Sequence, residues 1–303
     1  MKLKALVIGY GSIGKRHLGI LDSMDTIDEV SVMSNQNDVP YKTIKTVDEV
    51  TDLDPDYIVV ASNTSLHYEQ LCFLEENFRD KIILVEKPVY ERCHDLKIRN
   101  NSVWVGYNLR YHPLIQLVKE KINKRKLWSV HVFCGSYLPD WRPGRDYRDI
   151  YSAKKSTGGG VLLDLSHELD YVQWFAGSIK LEYALSEKVS DLEIETDDML
   201  VLAGGTESGA KVHISLNYFT RKPVRQIIID GEGISIQADL IGNSVTVYED
   251  GEPSNHTWPD LGRNATYQAE HEDLLSGNTV NACTYDEGME TMSMINDIRE
   301  WKV

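Results

Sequence analysis

The first part of the chain alternates short, uninterrupted apolar runs with longer segments of helical character. Uninterrupted runs are typical of parallel strands that helices bury on both faces. They predict strands over residues 3–8, 29–33, 57–61, 82–85 and 103–107. The intervening segments predict helices over 12–23 and 65–78, a short helix over 46–51 and a polar loop over 34–40. The pattern therefore predicts a doubly wound parallel sheet over residues 1–115.

The pattern then changes to alternating apolar and polar residues separated by glycine-bearing turns. This alternation is typical of an open antiparallel sheet with one solvated face. The strand-like segments are 130–134, 181–185, 199–203, 211–216, 226–230 and 244–248, and the helix-like segments are 161–175, 264–276 and 286–301. The chain of 303 residues is long enough for two domains. We predict a second, α+β domain over residues 116–303 for substrate binding and oligomerisation, whose C-terminal helix is able to pack back on the first domain.

A glycine motif joins the first predicted strand to the first predicted helix. Gly9, Gly11 and Gly14 have the spacing that allows a tight turn, close backbone approach to a pyrophosphate and close packing of helix on strand. The phosphates would lie on the N–H groups of the helix N-terminus. A purely structural turn is the alternative, but the strand before and the helix after favour a dinucleotide-binding Rossmann domain. The expected contacts are Gly9, Gly11, Ser12, Ile13 and Gly14.

The end of the second strand bears on which dinucleotide binds. A carboxylate about 20 residues beyond the glycines usually holds the adenine ribose hydroxyls of NAD. Here the strand end carries Ser34 and Asn35, and Asp38 lies farther along the loop. A serine relieves the repulsion of a 2′-phosphate, but no arginine stands beside it. The cofactor is therefore NAD or NADP, and the choice stays open.

Small polar residues follow the third strand. Ser62, Asn63 and Thr64 suit contact with the cofactor, and Ser65 can cap the next helix. His67 lies in the first turns of that helix. A cofactor contact and a structural histidine are equally good interpretations of His67.

Lys87 lies just beyond the strand over 82–85, at the sheet edge where ligands bind. Beside a positively charged nicotinamide its pKa would fall toward a range useful for proton transfer. The alternative is a surface lysine ahead of a turn proline, Pro88.

A third motif runs from Gly158 through Asp170. Its three glycines let the backbone approach a ligand or a helix start closely. If 161–175 is one helix, Asp164 and His167 share a face, where they can bind hydroxyls and exchange a proton. Asp170 can hold His167 or cap the structure. Two ligands without a third are poor evidence for a metal, and none is expected.

The segment 137–148 is rich in arginine and aromatic residues. Aromatic faces pack on sugar rings, and guanidinium groups recognise carboxylate or phosphate. This indicates a sugar-like, anionic substrate, and a solvated loop with local ion pairs is the alternative. The candidate substrate contacts are Tyr137, Trp141, Arg142, Arg145 and Tyr147.

Composition excludes several classes of partner. A net charge of −15 opposes binding to nucleic acids or anionic membranes. The four cysteines have no metal-ligand spacing, which is consistent with free thiols in a reducing compartment. No run reaches the roughly 20 apolar residues that a transmembrane helix needs. We expect a cytoplasmic protein.

The motifs, in this order and spacing, resemble the Gfo/Idh/MocA family, the glucose–fructose oxidoreductase and inositol dehydrogenase group. The resemblance rests on the glycine motif, residues 63–67, Glu86-Lys87-Pro88, residues 106–113 and residues 158–170. It implies a catalytic site of Lys87 and His167, supported by Asp164, at the cleft between the domains. It also implies that Glu86 binds the nicotinamide ribose and that Asn108 lines the cofactor and substrate pocket. Arg110, from the same segment as Asn108, is a candidate substrate contact.

The resemblance implies an NAD(P)-dependent oxidoreductase that transfers hydride between nicotinamide and a hydroxyl or keto carbon of a sugar or sugar derivative, including anionic or nucleotide-linked sugars. It also implies a homodimer or homotetramer formed through the C-terminal sheet. The alternatives are a non-catalytic NAD(P)-binding sensor and an enzyme that uses tightly bound NAD for elimination or epimerisation.

Two features depart from the family pattern. Asp164 precedes His167 by three residues, where the family has four. The segment between Pro88 and Gly106 is short, so we expect an abbreviated helix there.

Overall fold

The computed structural model describes residues 2–249 and 251–302. It divides into two compact units, Met1–Tyr111 with Arg263–Met289, and His112–Gly262 with Glu290–Val303. Residues 263–289, which the sequence analysis assigned to the second domain, thus belong to the first unit. The division into folding domains at residue 115 stays a prediction.

The helices and strands follow one another along the whole described chain. The strands are β1 (Leu3–Ile8), β2 (Ile27–Met33), β3 (Lys42–Ile44), β4 (Tyr57–Val60), β5 (Ile82–Glu86), β6 (Ser102–Gly106), β7 (Leu127–Tyr137), β8 (Ile179–Glu187), β9 (Met199–Thr206), β10 (Lys211–Asn217), β11 (Phe219–Gly231), β12 (Ile234–Asp239), β13 (Ser244–Tyr248), β14 (Ser254–Thr257) and β15 (Cys283–Thr284). The helices are α1 (Ser12–Asp22), α2 (Asp48–Leu53), α3 (His67–Asn77), α4 (Pro113–Ile122), α5 (Val161–Asp164), α6 (His167–Ala176), α7 (Ala265–Ser276) and α8 (Tyr285–Glu300). Among the described residues, no helix combines the length and apolar character needed to cross a membrane.

The first unit is built on a sheet with the strand order β15-β6-β5-β4-β1-β2-β3. All neighbouring strands are parallel except β15, which is antiparallel to β6. The four residues of β4 are completely buried, as are Leu6 and Val7 of β1. Burial on both faces explains why these strands appear in the sequence as uninterrupted apolar runs. The predicted doubly wound parallel sheet is confirmed.

Residues 89–101 contain no helix, so the expectation of an abbreviated helix there was wrong. The buried side chain of Glu75 on α3 organises this segment instead. Its Oε1 accepts hydrogen bonds from the backbone N–H groups of Arg99 and Asn100, both at 2.6 Å, and its Oε2 accepts one from Nδ2 of Asn101 at 3.0 Å. These charge-assisted bonds satisfy backbone groups without helical hydrogen bonding.

The second unit is built on a sheet with the strand order β14-β13-β12-β11-β7-β10-β9-β8. Its neighbours are antiparallel except β7 and β10, which are parallel. On β10, Val212 and Ile214 are buried, whereas Lys211 and His213 are exposed. This alternation confirms the predicted, mostly antiparallel sheet with one open face.

The helix predicted over 161–175 is wrong as a single element, because the structure divides it into α5 and α6. The chain leaves helical geometry at Leu165, whose φ and ψ are −99° and 29°. Apart from His167, every residue from 161 to 172 is buried. Because this segment has no exposed face, its sequence shows no alternation of apolar and polar residues that would reveal the break. Asp164 ends one helix and His167 begins the next, so their spacing no longer implies a shared helix face.

Candidate active site

The glycine motif forms a tight turn between β1 and α1. A Cβ at Gly14 would lie 2.1 Å from the carbonyl oxygen of Gly9, and a Cβ at Gly9, whose φ is +111°, would lie 2.6 Å from the carbonyl oxygen of Ala61. These two positions therefore require glycine. A Cβ at Gly11 would meet no atom within 4 Å. The turn thus leaves open space where the helix begins.

Gly11 is also the N-cap of α1, and it offers no side chain to the first N–H groups of the helix. The first helical hydrogen bond is donated by the backbone N–H of Lys15 to the carbonyl of Gly11 at 3.0 Å. The N–H groups of Ser12 and Ile13 have no acceptor within the helix, and the first turn carries no acidic residue. This site fits the pyrophosphate of a dinucleotide in shape and in charge.

The end of β2 is held by a lysine that the sequence analysis missed. Nζ of Lys45 donates hydrogen bonds to the carbonyl oxygens of Ser34 at 2.9 Å and Gln36 at 3.1 Å. β3 pairs Ile44 with Met33, which brings the next residue of each strand together. The short strand β3 was not predicted, so the neighbourhood of Lys45 and Ser34 could not be inferred.

Of the small polar residues after β4, Ser62 donates its hydroxyl proton to Oε1 of Gln70 at 2.7 Å. Asn63 precedes a 3₁₀ helix over Thr64–Leu66, and α3 follows with no side-chain cap, so the expected cap from Ser65 was wrong. His67 is buried, with its ring nitrogens 3.1 Å from the carbonyl oxygen of Val89 and 3.3 Å from that of Ser62. Burial lowers the pKa of His67. The two contacts with backbone carbonyl oxygens favour a structural histidine.

Glu86 and Lys87 lie at the carboxyl end of β5. Oε2 of Glu86 accepts a hydrogen bond from the backbone N–H of Lys87 at 3.2 Å, and Oε1 lies 2.8 Å from Nε2 of His17. A Cβ at Gly106 of β6 would lie 3.3 Å from the Glu86 carboxyl group, so β6 is shaped around this carboxylate. Lys87 is half-buried, and its peptide bond to Pro88 is cis. The contact of His17 with Glu86 was not foreseen.

Asn108 and Arg110 lie in a 3₁₀ helix of the first unit. Nδ2 of Asn108 donates a hydrogen bond to Oγ1 of Thr266 at 2.7 Å. Arg110 is buried, and its Nη1 lies 3.1 Å from Oε2 of Glu287. A buried guanidinium group that already pairs with a carboxylate of the protein is poorly placed for a substrate. The structure therefore does not support Arg110 as a substrate contact.

In the second unit, the glycines before α5 pack against protein rather than open space. A Cβ at Gly159 would lie 2.3 Å from the carbonyl oxygen of Tyr151, and one at Gly160, whose φ is +118°, would lie 2.2 Å from Oδ1 of Asp197. Oδ2 of Asp197 accepts a hydrogen bond from the backbone N–H of Leu162 at 2.9 Å, and burial raises the pKa of Asp197. These glycines therefore allow α5 to begin in close contact with Asp197.

Asp164 belongs to a cluster of aromatic residues. The hydroxyl group of the buried Tyr218 donates a hydrogen bond to Oδ2 of Asp164 at 2.6 Å. The ring of Trp141 packs edge-on against Tyr218, with ring centroids 5.2 Å apart. The residue Tyr151 is 41% exposed, but desolvation around its hydroxyl group, and then the charge of Asp164, raise the pKa of Tyr151. This cluster unites Asp164 and Trp141, two predicted site residues, with Tyr218 and Tyr151, which the sequence analysis missed.

His167 begins α6 and is half-buried. The next residue, Glu168, is completely buried and forms a two-pronged ion pair with Arg225 of β11. Nε of Arg225 lies 2.6 Å from Oε1 of Glu168, and Nη2 lies 3.1 Å from Oε2. This pair anchors the first turn of α6, and with it the backbone of His167, on the sheet.

The other predicted substrate contacts are dispersed. The guanidinium group of Arg221 lies 3.8 Å from the ring centroid of Tyr137. The hydroxyl group of Tyr147 accepts a hydrogen bond from the backbone N–H of Glu193 at 3.2 Å. Arg145 is exposed, whereas Arg142 is half-buried and its positive charge acts on Tyr151. Of these residues, Arg142 is the one that the structure places with the Asp164 cluster.

Two family descriptions match most of the chain. Residues 3–99 match an oxidoreductase family with an NAD-binding Rossmann fold, and residues 115–237 match the GFO/IDH/MocA C-terminal domain. Levoglucosan dehydrogenase from Pseudarthrobacter phenanthrenivorans is 27% identical over 133 residues, which are 41% of this chain and 34% of that protein. The matched segment therefore spans about a third of that relative's length.

Solved structures share the fold along nearly the whole chain. A levoglucosan dehydrogenase in complex with NADH and levoglucosan has a TM-score of 0.83 and 16% identity, covering 99% of this chain and 96% of its own. The WlbA dehydrogenase from Bordetella pertussis, in complex with NADH and UDP-GlcNAcA, has a TM-score of 0.79 and 19% identity, covering 99% and 95%. At these identities the likeness establishes the fold. Together with the matches of both domains, it confirms the resemblance seen in the sequence: the chain belongs to the Gfo/Idh/MocA family of oxidoreductases and carries that family's NAD-binding Rossmann domain.

Proposed function

We propose that the protein is an NAD(P)-dependent dehydrogenase or reductase that acts on a hydroxyl or keto carbon of a sugar or sugar derivative. One observation carries the proposal: Lys87 and the glycine turn both lie at the carboxyl edge of one parallel sheet. Ligands of open α/β sheets bind at this edge. The strand pairing brings Lys87 to the same edge as the glycine turn, which supports a role for its amine in proton transfer to or from a substrate beside the dinucleotide.

Each residue has a separate task in this proposal. When bound, the nicotinamide supplies or accepts the hydride. The N–H groups of Ser12 and Ile13 hold the pyrophosphate, and Glu86 holds the nicotinamide ribose. Lys87 and His167 give or take the proton of the substrate hydroxyl, a role assigned on family membership.

The Asp164 cluster supports a sugar-like substrate. Trp141 supplies partly exposed aromatic surface of the kind that packs on a sugar ring, next to the buried Tyr218 that donates its hydroxyl proton to Asp164. Arg142 adds a cation that suits an anionic group on the sugar. The similar structures contain levoglucosan and UDP-GlcNAcA, which supports testing sugars and nucleotide sugars first.

The test is a panel of sugars, acidic sugars and nucleotide sugars with NAD and NADP in both oxidation states, followed by the absorbance of the reduced cofactor. We expect turnover with at least one substrate. Binding of the cofactor without turnover in either direction would contradict the proposal and favour a sensor. Absorbance of reduced cofactor retained by the purified protein would favour elimination or epimerisation with tightly bound NAD.

We predict that NADPH binds at least as tightly as NADH. Ser34 replaces the usual carboxylate, and the Lys45 ammonium group lies at the same strand end. Lys45→Glu should weaken NADPH binding about tenfold, the effect of losing a hydrogen bond to a charged group, and change NADH binding much less. Both affinities can be measured by fluorescence titration.

Lys42→Glu is the matched control, because it makes the same charge change on β3 at a lysine that pairs with Glu29. An unchanged preference between NADPH and NADH in Lys45→Glu would refute the role of Lys45.

We further propose a homodimer or homotetramer formed through the open face of the second sheet. One row across this face consists of Tyr183, Ala203, His213, His131 and Ile228. Exposed apolar side chains in this row, joined by nearby Phe133, are typical of an interaction surface. Light scattering should give at least the dimer mass, and a monomer mass at micromolar concentration would refute the proposal.

A further inference from the structure

We infer that a buried chain of Tyr57, His271 and His17 orients the carboxylate of Glu86 by directing a proton donor at its Oε1 oxygen. The inference rests on the proposed function only in giving Glu86 a task toward the cofactor. The three residues are positioning residues, and we assign none of them a contact with cofactor or substrate.

The chain consists of three short hydrogen bonds that join four elements of the first unit. Oε1 of Glu86, at the end of β5, lies 2.8 Å from Nε2 of His17 on α1. Nδ1 of His17 lies 2.8 Å from Nε2 of His271 on α7. Nδ1 of His271 lies 2.7 Å from the hydroxyl oxygen of Tyr57 on β4.

The burial of these groups makes the hydrogen bonds obligatory. Tyr57, His17 and His271 are completely buried, and Glu86 is 7% exposed. A buried polar atom that loses its partner retains the cost of desolvation, because solvent does not replace the bond. The side chains therefore depend on one another for their polar contacts.

Burial fixes the protonation of the two residues farthest from Glu86. Burial raises the pKa of Tyr57 well above its ordinary value, so its hydroxyl group keeps its proton. Burial lowers the pKa of His271 well below its ordinary value, so its ring is neutral. A neutral imidazole donates from one nitrogen and accepts at the other.

With an ionised Glu86 and a singly protonated His17, one arrangement of protons satisfies all three contacts. Tyr57 donates to Nδ1 of His271, Nε2–H of His271 donates to Nδ1 of His17, and Nε2–H of His17 donates to ionised Glu86. The reverse arrangement needs a protonated Glu86 or a doubly protonated His17. It also needs a second acceptor for the Tyr57 proton. After burial, the charge of Glu270 also raises the pKa of Tyr57 and helps to keep its hydroxyl group protonated.

The chain has a defined effect at Glu86. Oε1 accepts from His17 while Oε2 accepts from the backbone N–H of Lys87, and Gly106 leaves room for the carboxyl group. The carboxylate is therefore held from both oxygens, directly beside the lysine proposed for proton transfer. Through His17, Tyr57 on β4 and His271 on α7 thereby control the orientation of the Glu86 carboxylate at the sheet edge.

The first test reads the protons directly in the full-length protein without cofactor. Nitrogen-15 NMR of the histidine rings should place the proton of both His17 and His271 on Nε2. A proton on Nδ1 of His271 would mean that Tyr57 accepts rather than donates, and this would overturn the inference.

The second test is Tyr57→Phe, which keeps the ring and removes the donor. We expect the His271 and His17 nitrogen signals to shift and NADH binding to weaken about tenfold. Tyr90→Phe is the matched control, since Tyr90 is also buried in the first unit and its hydroxyl group lies 3.0 Å from that of Tyr285. That variant should bind NADH within about twofold of the wild type.

Unchanged NADH affinity in Tyr57→Phe would overturn the positioning role, even if the tautomers agree. Failure of the proposed function has a different signature, which is binding of NADH without turnover of any sugar. The tautomers of His17 and His271 are measured without cofactor, so they decide the direction of donation in either case.

Discussion

Lys87→Ala should lower kcat by about two to four orders of magnitude on any substrate that the panel identifies, while NADH still binds. The range is the usual contribution of a positioned general acid or base. Lys87 projects from the carboxyl end of β5, and its backbone N–H, which the substitution retains, donates to Glu86. The loss should therefore fall on kcat more than on the affinity for cofactor, as expected for an interaction made mainly in the transition state.

His167→Ala is the companion variant, with an expected loss in the same range. Lys97→Ala is the matched control, because Lys97 is an exposed lysine in the segment that follows Lys87. Its kcat should stay within about twofold of the wild type, as befits a surface substitution. If both Lys87→Ala and His167→Ala keep turnover within tenfold of the wild type, the proposed proton chemistry is wrong.

Gly14→Ala should destabilise the protein by about 3 kcal/mol or more, whereas Gly11→Ala should leave stability nearly unchanged and weaken NADH binding at least tenfold. At Gly14 the new Cβ would lie 2.1 Å from the carbonyl oxygen of Gly9, and such backbone overlap forces the turn apart. At Gly11 the new Cβ meets no protein atom within 4 Å, and the φ of −76° suits alanine. It would instead occupy the space proposed for the pyrophosphate.

Gly19→Ala is the matched control on the same helix. Gly19 is exposed, a Cβ there meets nothing within 4 Å, and alanine should stabilise α1 by about 0.5–1 kcal/mol. Urea unfolding and NADH titration measure both quantities for all three variants. If Gly11→Ala binds NADH as tightly as the wild type does, the proposal that the pyrophosphate binds at the start of α1 is wrong. If Gly14→Ala is as stable as the wild type, the close packing of Gly14 on Gly9 is contradicted.

Local patterns were sufficient for much of the fold. The apolar strands of the first sheet and the alternation in the second are consequences of burial on two faces or on one, and both appear directly in the sequence. β3 escaped prediction because it has three residues, of which only Ile44 is buried. The break at Leu165 escaped because residues on every side of α5 and α6 are buried.

The residues of the candidate site likewise fall into two groups, those that a local sequence motif reveals and those that it does not. Gly9, Gly11, Gly14 and Lys87 carry their information in short motifs, so the sequence and its family resemblance identified them. Partners distant in sequence determine the roles of His17, Asp197 and Tyr218, such as Glu86 for His17 and Asp164 for Tyr218. Such pairings are properties of the folded chain and leave no local pattern.

The return of residues 263–289 to the first unit bears on how the protein is made. α7 brings His271 to His17 and Tyr57, while Leu274 and Ala282 complete the core around Leu18 and Leu21. A nascent chain on the ribosome has all its parallel strands long before this segment is synthesised. During that interval, polar groups and apolar surface that are buried in the folded protein remain exposed, where chaperones can bind them and aggregation can begin. The nucleotide-binding unit can therefore complete its core only after residues 263–289 have been synthesised.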